Sequence, residues 1–392
     1  MIANADPKAN LAACAADVRA AIARVLDSGR YILGPEVVAF EREFAAWLGS
    51  DFCFGVANGT DAVELALRAA GIRSGDGVVL PANTVSATIA AVLAAGGVPV
   101  FCDVDPITMN LAPDRLRELL QSPRGAAVRA IVPVHLYGHP CDMPAILVLA
   151  EERGLRVVED CAQAHGAALG ARKVGTWGHA AAFSFYPTKN LAALGDGGAV
   201  TTSVPAIAAR VQALRQYGWQ ERYISTGDGG RNSRLDEIQA AVLRVRLLHL
   251  DAENRRRREL AARYTTALAG ISGVSGGKSD RQPIQLPPPP NDAVPVFHQY
   301  AIRTSGREGL RLWLEARGIV AQALYPVPLH HQPAFARWTP TEAGALAQCE
   351  RCCAEVLSLP VHPALRESEI DTVAAAVLDW VRAARPATPP SP

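Results

Sequence analysis

The sequence predicts an α/β fold with a mainly parallel sheet covered by helices, followed by a smaller C-terminal unit. Three observations carry this prediction. Short apolar runs bounded by turn residues recur through the first half of the chain, and helical patterns separate most of them. That alternation is the signature of parallel strands joined by helical crossovers. The chain also has 392 residues with 49% hydrophobic content, enough for a large core and a second, smaller domain at roughly 150 residues per domain.

In chain order, a helix is expected over residues 16–28, and Tyr31-Ile32-Leu33-Gly34-Pro35 interrupts it with turn chemistry. Pro35 suits the first turn of a second amphipathic helix, 35–47. Asn58-Gly59-Thr60-Asp61 then opens a helix running through Ala70. Strands are expected at 78–80, 98–103, 130–134, 156–159, 181–185 and 199–202. After Ala206 the pattern turns helical, with a long stretch over 235–268. Residues 271–296 are rich in Gly, Pro and Ser and read as irregular structure; strand and helix signals resume from Phe297 to Trp380. The expected division is a large domain at 1–250, a small one at 251–384 and a disordered tail at 385–392.

Several functional classes are excluded by the same reading. A net charge of +1 with 20% charged residues creates no global field for nucleic acid or anionic membrane. Residues 77–102 contain no charged side chain, long enough for the ~20 residues of a membrane span. Pro81, Asn83, Gly96, Gly97 and Pro99 break that run into strand, helix and strand. The N-terminus lacks a basic segment followed by an apolar one, so no signal peptide is expected. The eight cysteines are scattered; Cys349, Cys352 and Cys353 include a CxxC without a second pair, and read as core thiols in a reduced, cytoplasmic protein. His135 and His139 flank a turn rather than a helix face, and His330-His331 has no better metal-binding pattern, so no metal is expected. Arg255–Arg258 lies among Asp251, Glu253 and Glu259 in a helix and reads as a solvated or subunit-facing surface. The GDGG strings at 195 and 227 lack the setting of a dinucleotide fingerprint.

Three distant segments carry chemistry. The apolar run before Asp160 puts a carboxylate at the carboxyl edge of a parallel sheet, where ligands bind, although Asp160 could equally cap the next helix. Ser184-Phe185-Tyr186-Pro187-Thr188-Lys189 turns a strand so as to present one lysine, and Gly195-Asp196-Gly197-Gly198 lets the chain return. Held at a sheet edge, such an amine loses its proton and can attack a carbonyl; taken alone, a lysine is more often simply exposed. At Gly59-Thr60, free helix-terminal amides suit a phosphate, against the commoner alternative of an ordinary helix capped by Thr60. Together, a phosphate site, a carboxylate and a reactive lysine fit pyridoxal phosphate.

On the strings EDCAQAHGA, AFSFYPTKNLAALGDGGAV and GRNSRLDEIQAAVLR, the chain resembles the DegT/DnrJ/StrS family of sugar aminotransferases, from YILGPEV near residue 31 to LSLPVHP near 357. The resemblance implies a fold-type I pyridoxal-phosphate transferase with Lys189 as the lysine that holds the cofactor's aldehyde. It implies Asp160 as partner of the pyridine nitrogen, Gln163 near the phenolic oxygen, and Ser184, Gly59 and Thr60 around the phosphate. Asn232 matches an asparagine that reaches the phosphate in a neighbouring subunit, which implies a homodimer with a shared site. Val85 stands where relatives commonly carry a stacking aromatic, and Leu324 where many have histidine. Tyr31, Tyr325 and His330 are implied substrate contacts.

The implied reaction moves an amine from L-glutamate to a nucleotide-linked keto-sugar, on the pattern of C3 amination of a dTDP-3-oxo-6-deoxyhexose. Amination at C4 or of a keto-cyclitol is the alternative within the enzyme class. A non-catalytic cofactor-binding homologue is the alternative outside it, and would not need the set Lys189, Asp160, Gln163 and Ser184.

Overall fold

A computed structural model describes residues 1–271, 284–289 and 292–383. The chain begins with α1 (Pro7–Ala12), α2 (Ala15–Ser28) and α3 (Pro35–Leu48), then β1 (Phe52–Val56) and α4 (Gly59–Ala69). Next come β2 (Gly77–Pro81), α5 (Ser86–Ala94), β3 (Val98–Cys102), α6 (Pro113–Gln121), β4 (Val128–Ile131), α7 (Met143–Glu152) and β5 (Arg156–Asp160). Two short strands, β6 (Ala168–Leu169) and β7 (Arg172–Lys173), precede β8 (Ala180–Ser184), β9 (Gly198–Thr202) and α8 (Pro205–Leu214). A small hairpin, β10 (Trp219–Glu221) and β11 (Ile224–Ser225), leads to α9 (Glu237–Leu268). The remainder is β12 (Ala293–Val294), β13 (Tyr300–Arg303), α10 (Arg307–Glu315), α11 (Ala347–Glu355), β14 (Val356–Leu359) and α12 (Glu367–Ala383).

The main sheet has seven strands in the order β1-β9-β8-β5-β4-β2-β3. Only β9 runs against its neighbours; β8, β5, β4, β2 and β3 are parallel throughout. Alternation along each strand divides the buried side chains between the two faces. Val78, Leu80, Val158, Ala182 and Val200 share a core with α4, α5 and α8. Their neighbours Ala181, Phe183 and Ala199 pack against α3 and the first half of α9, while Val79, Ile131 and Val157 pack against α6 and α7. The charge-free stretch 77–102 is thus β2, α5 and β3, buried between layers. Among the described residues no helix is long and apolar enough to cross a membrane.

The structure differs from the sequence expectation in places with identifiable causes. The strand expected at 130–134 is Val128–Ile131, because Pro133 has no N–H for the ladder and only its carbonyl is used, by the Asp160 amide. The edge strand β1 was not expected; Gly55 interrupts its apolar pattern and Phe52 is exposed. Arg255–Arg258 is not uniformly a surface: Arg257 is 4% exposed, with its guanidinium near the carbonyls of Phe297 and Val361.

That burial follows from the path of α9. Its 32 residues make a rod about 48 Å long. It serves the main core through Leu243 and Leu250, and a second core through Leu260, Tyr264 and Leu268. Arg257 lies where it passes from one to the other. The second core is closed by the antiparallel pair β13–β14 with α10 and α12. All eight cysteines are unpaired and buried, Cys349, Cys352 and Cys353 on α11. His135 and His139 flank a single 3₁₀ turn, Leu136–Gly138. His135 takes the Cys141 amide on Nδ1, so Nε2 donates to Glu159. Within the stretch read as irregular, Ala293 and Val294 pair with β6; residues 272–283 and 290–291 and the tail 385–392 lie outside the described residues.

Candidate active site

The carboxyl ends of β2, β5 and β8 deliver Ala82–Val85, Asp160 and Ser184–Lys189 to one edge of the sheet. Asp160, the last residue of β5, is 4% exposed. Its Oδ2 accepts the Thr88 hydroxyl at 2.9 Å and its Oδ1 the Ala162 amide at 3.1 Å. Thr88 belongs to the first turn of α5 and is itself 3.3 Å from the Thr84 hydroxyl. Burial raises the Asp160 pKa, and these two donors together with Lys189 oppose the rise. No helix follows Asp160, so the capping alternative does not apply.

After β8 the chain makes a turn closed by the Lys189 amide on the Tyr186 carbonyl. Lys189 is half-buried. Burial brings its pKa down to about 8, with the Asp160 charge the opposing influence. Two imidazoles stand close enough to feel the Lys189 charge. His165, packed on Phe183 and Phe185, is held at about 3 by burial first and Lys189 second. His298 is pushed well below its ordinary value by the same two causes. Both are therefore neutral, and the charge that opposes the fall at Lys189 is that of Asp160.

This places a nucleophilic amine within reach of ordinary pH. Only the free amine attacks a carbonyl, so capture of pyridoxal phosphate by the apoprotein should accelerate as pH rises and level off above about 8. Stopped-flow absorbance across that range checks this; a rate still climbing toward 10.5 would show an ordinary, exposed lysine.

The third part is the N-terminus of α4. The Asn58 side chain accepts the Asp61 amide at 2.8 Å, so Asn58 and not Thr60 is the cap. The Ala62 amide goes to the Asn58 carbonyl, which leaves the amides of Gly59 and Thr60 without a partner among the described residues. Gly59 lies directly on the end of β8: a Cβ there would sit 2.5 Å from the Ser184 Cβ. Gly198, at the start of β9, is equally confined, with the Asn58 carbonyl oxygen 2.4 Å from where its Cβ would be. Two glycines thus let the return strand and the helix terminus close on the Ser184 hydroxyl.

Gln163 joins the group from the loop after β5. Its Oε1 accepts the Tyr137 amide at 2.7 Å, and its Nε2 donates to the Tyr325 hydroxyl at 3.0 Å. Tyr325, mainly through burial, is pushed up to about 12 and stays a phenol. The Tyr137 hydroxyl donates to the Leu324 carbonyl, fixing the segment that carries Tyr325. Val85, the residue before α5, is 36% exposed, and its neighbour Thr84 is linked through the Thr88 hydroxyl to Asp160.

Three sequence candidates make no side-chain hydrogen bond to this group among the described residues. Asn232 is exposed on the segment after the β10–β11 hairpin, its backbone paired with Gln216. Tyr31 is 49% exposed, and its carbonyl accepts the Glu237 amide. His330 is 2% exposed, tilted against Phe101, and bonded to Glu350 at 3.0 Å. Sequence reasoning missed Thr88, Tyr137, Asn190 and His298. Asn190 had a signal in its position beside Lys189; a threonine inside a charge-free helix and a tyrosine in a turn had none.

Free amides and a hydroxyl for a phosphate, a buried carboxylate for a pyridinium and a deprotonatable amine for an aldehyde are complementary to pyridoxal phosphate, so the residues present fit that group. The comparisons agree. The model of the DegT/DnrJ/EryC1/StrS aminotransferase family matches residues 13–378. The chain is 48% identical over 375 residues to the dTDP-3-amino-3,4,6-trideoxy-alpha-D-glucose transaminase of Streptomyces venezuelae, covering 96% of this chain and 95% of that protein. Its fold matches the crystal structure of S. venezuelae DesV in complex with a ketimine intermediate, at a TM-score of 0.90 and 46% identity, over 97% and 98% of the two chains. It also matches NtdA from Bacillus subtilis with bound cofactor PMP, at a TM-score of 0.84 and 30% identity, over 94% and 82%.

Proposed function

This chain belongs to the DegT/DnrJ/EryC1/StrS aminotransferase family, and we propose on that premise that it aminates C3 of a dTDP-linked 3-oxo-6-deoxyhexose with L-glutamate as donor. It is a pyridoxal-phosphate-dependent aminotransferase acting in amino-deoxysugar biosynthesis. The observation that carries the reading is the half-buried Lys189, with its pKa lowered to about 8, facing the buried Asp160 beside the free amides of α4. The choice of C3 rests on the 48% identity to a 3-amino-sugar transaminase.

Bound pyridoxal phosphate supplies a conjugated ring that takes up the electron pair released when a proton leaves the carbon bearing the transferred nitrogen. The chain's own residues do the rest. The Gly59 and Thr60 amides and the Ser184 hydroxyl hold the phosphate, with the α4 dipole favouring its charge. Asp160, fixed by Thr88 and Ala162, would keep a proton on the pyridine nitrogen. Gln163, aimed by the Tyr137 amide, lies beside the phenolic oxygen. Lys189 Nζ would hold the cofactor at its aldehyde carbon, water being lost in the condensation, and as a free amine would take up and return the proton moved in the reaction. Burial makes His165 and His298 poor proton acceptors, which leaves Nζ as the base in that space.

Val85 offers the ring an apolar contact in place of stacking, and Tyr325 and Tyr31 contact the sugar in this reading, with His330 supporting the turn behind them. Asn232, exposed on its own chain, serves the phosphate site of a second copy in this reading, so the working enzyme is a homodimer. The division into a large domain at 1–250 and a small one at 251–384, and a cytoplasmic location, belong to the same reading. Incubation of the loaded enzyme with L-glutamate and a dTDP-3-oxo-6-deoxyhexose should yield 2-oxoglutarate and a sugar bearing nitrogen at C3, read by mass spectrometry and NMR. Turnover of the 4-oxo isomer alone would overturn the assignment of position.

A further inference from the structure

Behind Lys189 lies a continuous buried chain of polar side chains that the reaction as described does not use. Asn190, next to the lysine, is 2% exposed. Its Nδ2 donates to Asn254 Oδ1 at 2.9 Å and to the Val296 carbonyl at 3.1 Å, and its Oδ1 faces His298 Nδ1 at 3.1 Å. Asn254, 2% exposed on α9, passes the chain on by donating from Nδ2 to the His165 carbonyl at 2.8 Å. Because the Asn190 oxygen can only accept, His298 carries its proton on Nδ1, and the direction of every bond in the chain is fixed.

The far ends of this chain are the other parts of the site. His165 follows Asp160 and Gln163 on one loop. The Val296 amide is held by the Gly138 carbonyl and the Gln299 amide by the Tyr137 carbonyl, in the turn whose Tyr137 amide aims Gln163. The Asp160 loop, the Gln163 turn, α9 and the start of the second core are therefore all referred to one side chain adjoining Lys189. Gly166 is part of the fit: a Cβ there would meet Asn254 Nδ2 at 2.9 Å.

We propose that His298 and Asn254, acting through Asn190, are positioning residues for Lys189: they clamp the lysine-bearing turn against the Asp160 loop so that Nζ has one orientation in both of its roles. The inference rests on the assignment of Lys189 as the reactive lysine. The stake is geometric, since a shift of about 1 Å at a reacting group can cost about 10²-fold in rate. Substrate-binding groups lie elsewhere, so loss of the clamp acts on kcat rather than on KM.

Two substitutions separate positioning from packing. His298→Phe keeps an aromatic ring but removes the donor to Asn190; His298→Gln removes the ring but retains an N–H donor. With the full-length protein, the measurements are the rate at which the apoprotein captures pyridoxal phosphate, kcat and KM for the keto-sugar, and the melting temperature. His298→Phe should slow capture and kcat by about tenfold, the size of one lost buried hydrogen bond, with KM unchanged within about twofold. His298→Gln should restore most of both rates. If His298→Phe does not fold, Asn254→Ala, which leaves Asn190 two of its three partners, should slow both rates by a smaller factor. Wild-type rates in His298→Phe or Asn254→Ala would overturn the clamp, as would equal impairment in the Phe and Gln variants. A wild-type apoprotein that never captures the cofactor would instead remove the assignment of Lys189 itself.

Discussion

Lys189→Ala is expected to lower transamination by at least ~10⁴-fold while leaving a folded protein. The size follows from the two roles of one group, attachment of the cofactor and proton transfer, of which the second alone contributes about 10²–10⁴-fold. The fold should survive because the side chain is half-buried and belongs to none of the hydrophobic cores. The sign of the stability change also follows. The folded-state pKa of Lys189, about 8, lies below the 10.5 of a free lysine, so the fold disfavours the ammonium. That penalty is complete below pH 8 and is relieved as pH rises from 8 to 10.5. The apo variant should therefore melt at or above the apo wild type at pH 7. Steady-state assay and calorimetry of the two apoproteins check both parts; appreciable turnover by the variant would exclude Lys189.

Asp160→Asn should be the second largest effect, a loss of about 10²–10³-fold in kcat, in the range of removing one preorganised electrostatic partner from a dry site. Asparagine is nearly isosteric. Its Oδ1 can still accept the Ala162 amide, and its Nδ2 can donate to the Thr88 hydroxyl, which both gives and takes hydrogen bonds. What vanishes is the charge proposed to keep the pyridine nitrogen protonated. Burial raises the Asp160 pKa, so the ionised carboxylate costs the apo fold stability above the ordinary carboxylate range, and the variant should not melt lower at pH 7. Retained cofactor binding with collapsed turnover is the expected result. An unchanged kcat would show that Asp160 does not face the ring nitrogen.

Much of this was readable in the sequence, and the reason is local. Asp160 ends an apolar run, Gly59 opens a helix, and Lys189 lies between a strand and a glycine-rich return; each is a statement about a few adjacent residues, although the cap of that helix is Asn58 and not the expected Thr60. The burial that turns these residues into a site is not local. Thr88 acquires its role only because α5 passes over the end of β5. Asn254 is one polar residue in a long, charged helix, and nothing nearby distinguishes it from a solvated position. Arg257, three residues on, was read as surface for the same reason, because the pattern of a helix shared between two cores shows no clean apolar face. The strand at 130–134 was misplaced for the opposite reason: its apolar run continues through Pro133, which cannot donate, and beyond it only an isolated bridge from Val134 to Asp160 remains.

Pyridoxal phosphate chemistry at Lys189 is tested most directly by absorbance spectroscopy of the purified protein with pyridoxal phosphate, before and after L-glutamate, alongside Lys189→Ala. The wild type should show a visible band from the lysine-bound cofactor that gives way to a near-ultraviolet band on addition of L-glutamate, and the variant should not form the first band. A wild-type protein with no visible band, or a variant with the same one, would contradict the account.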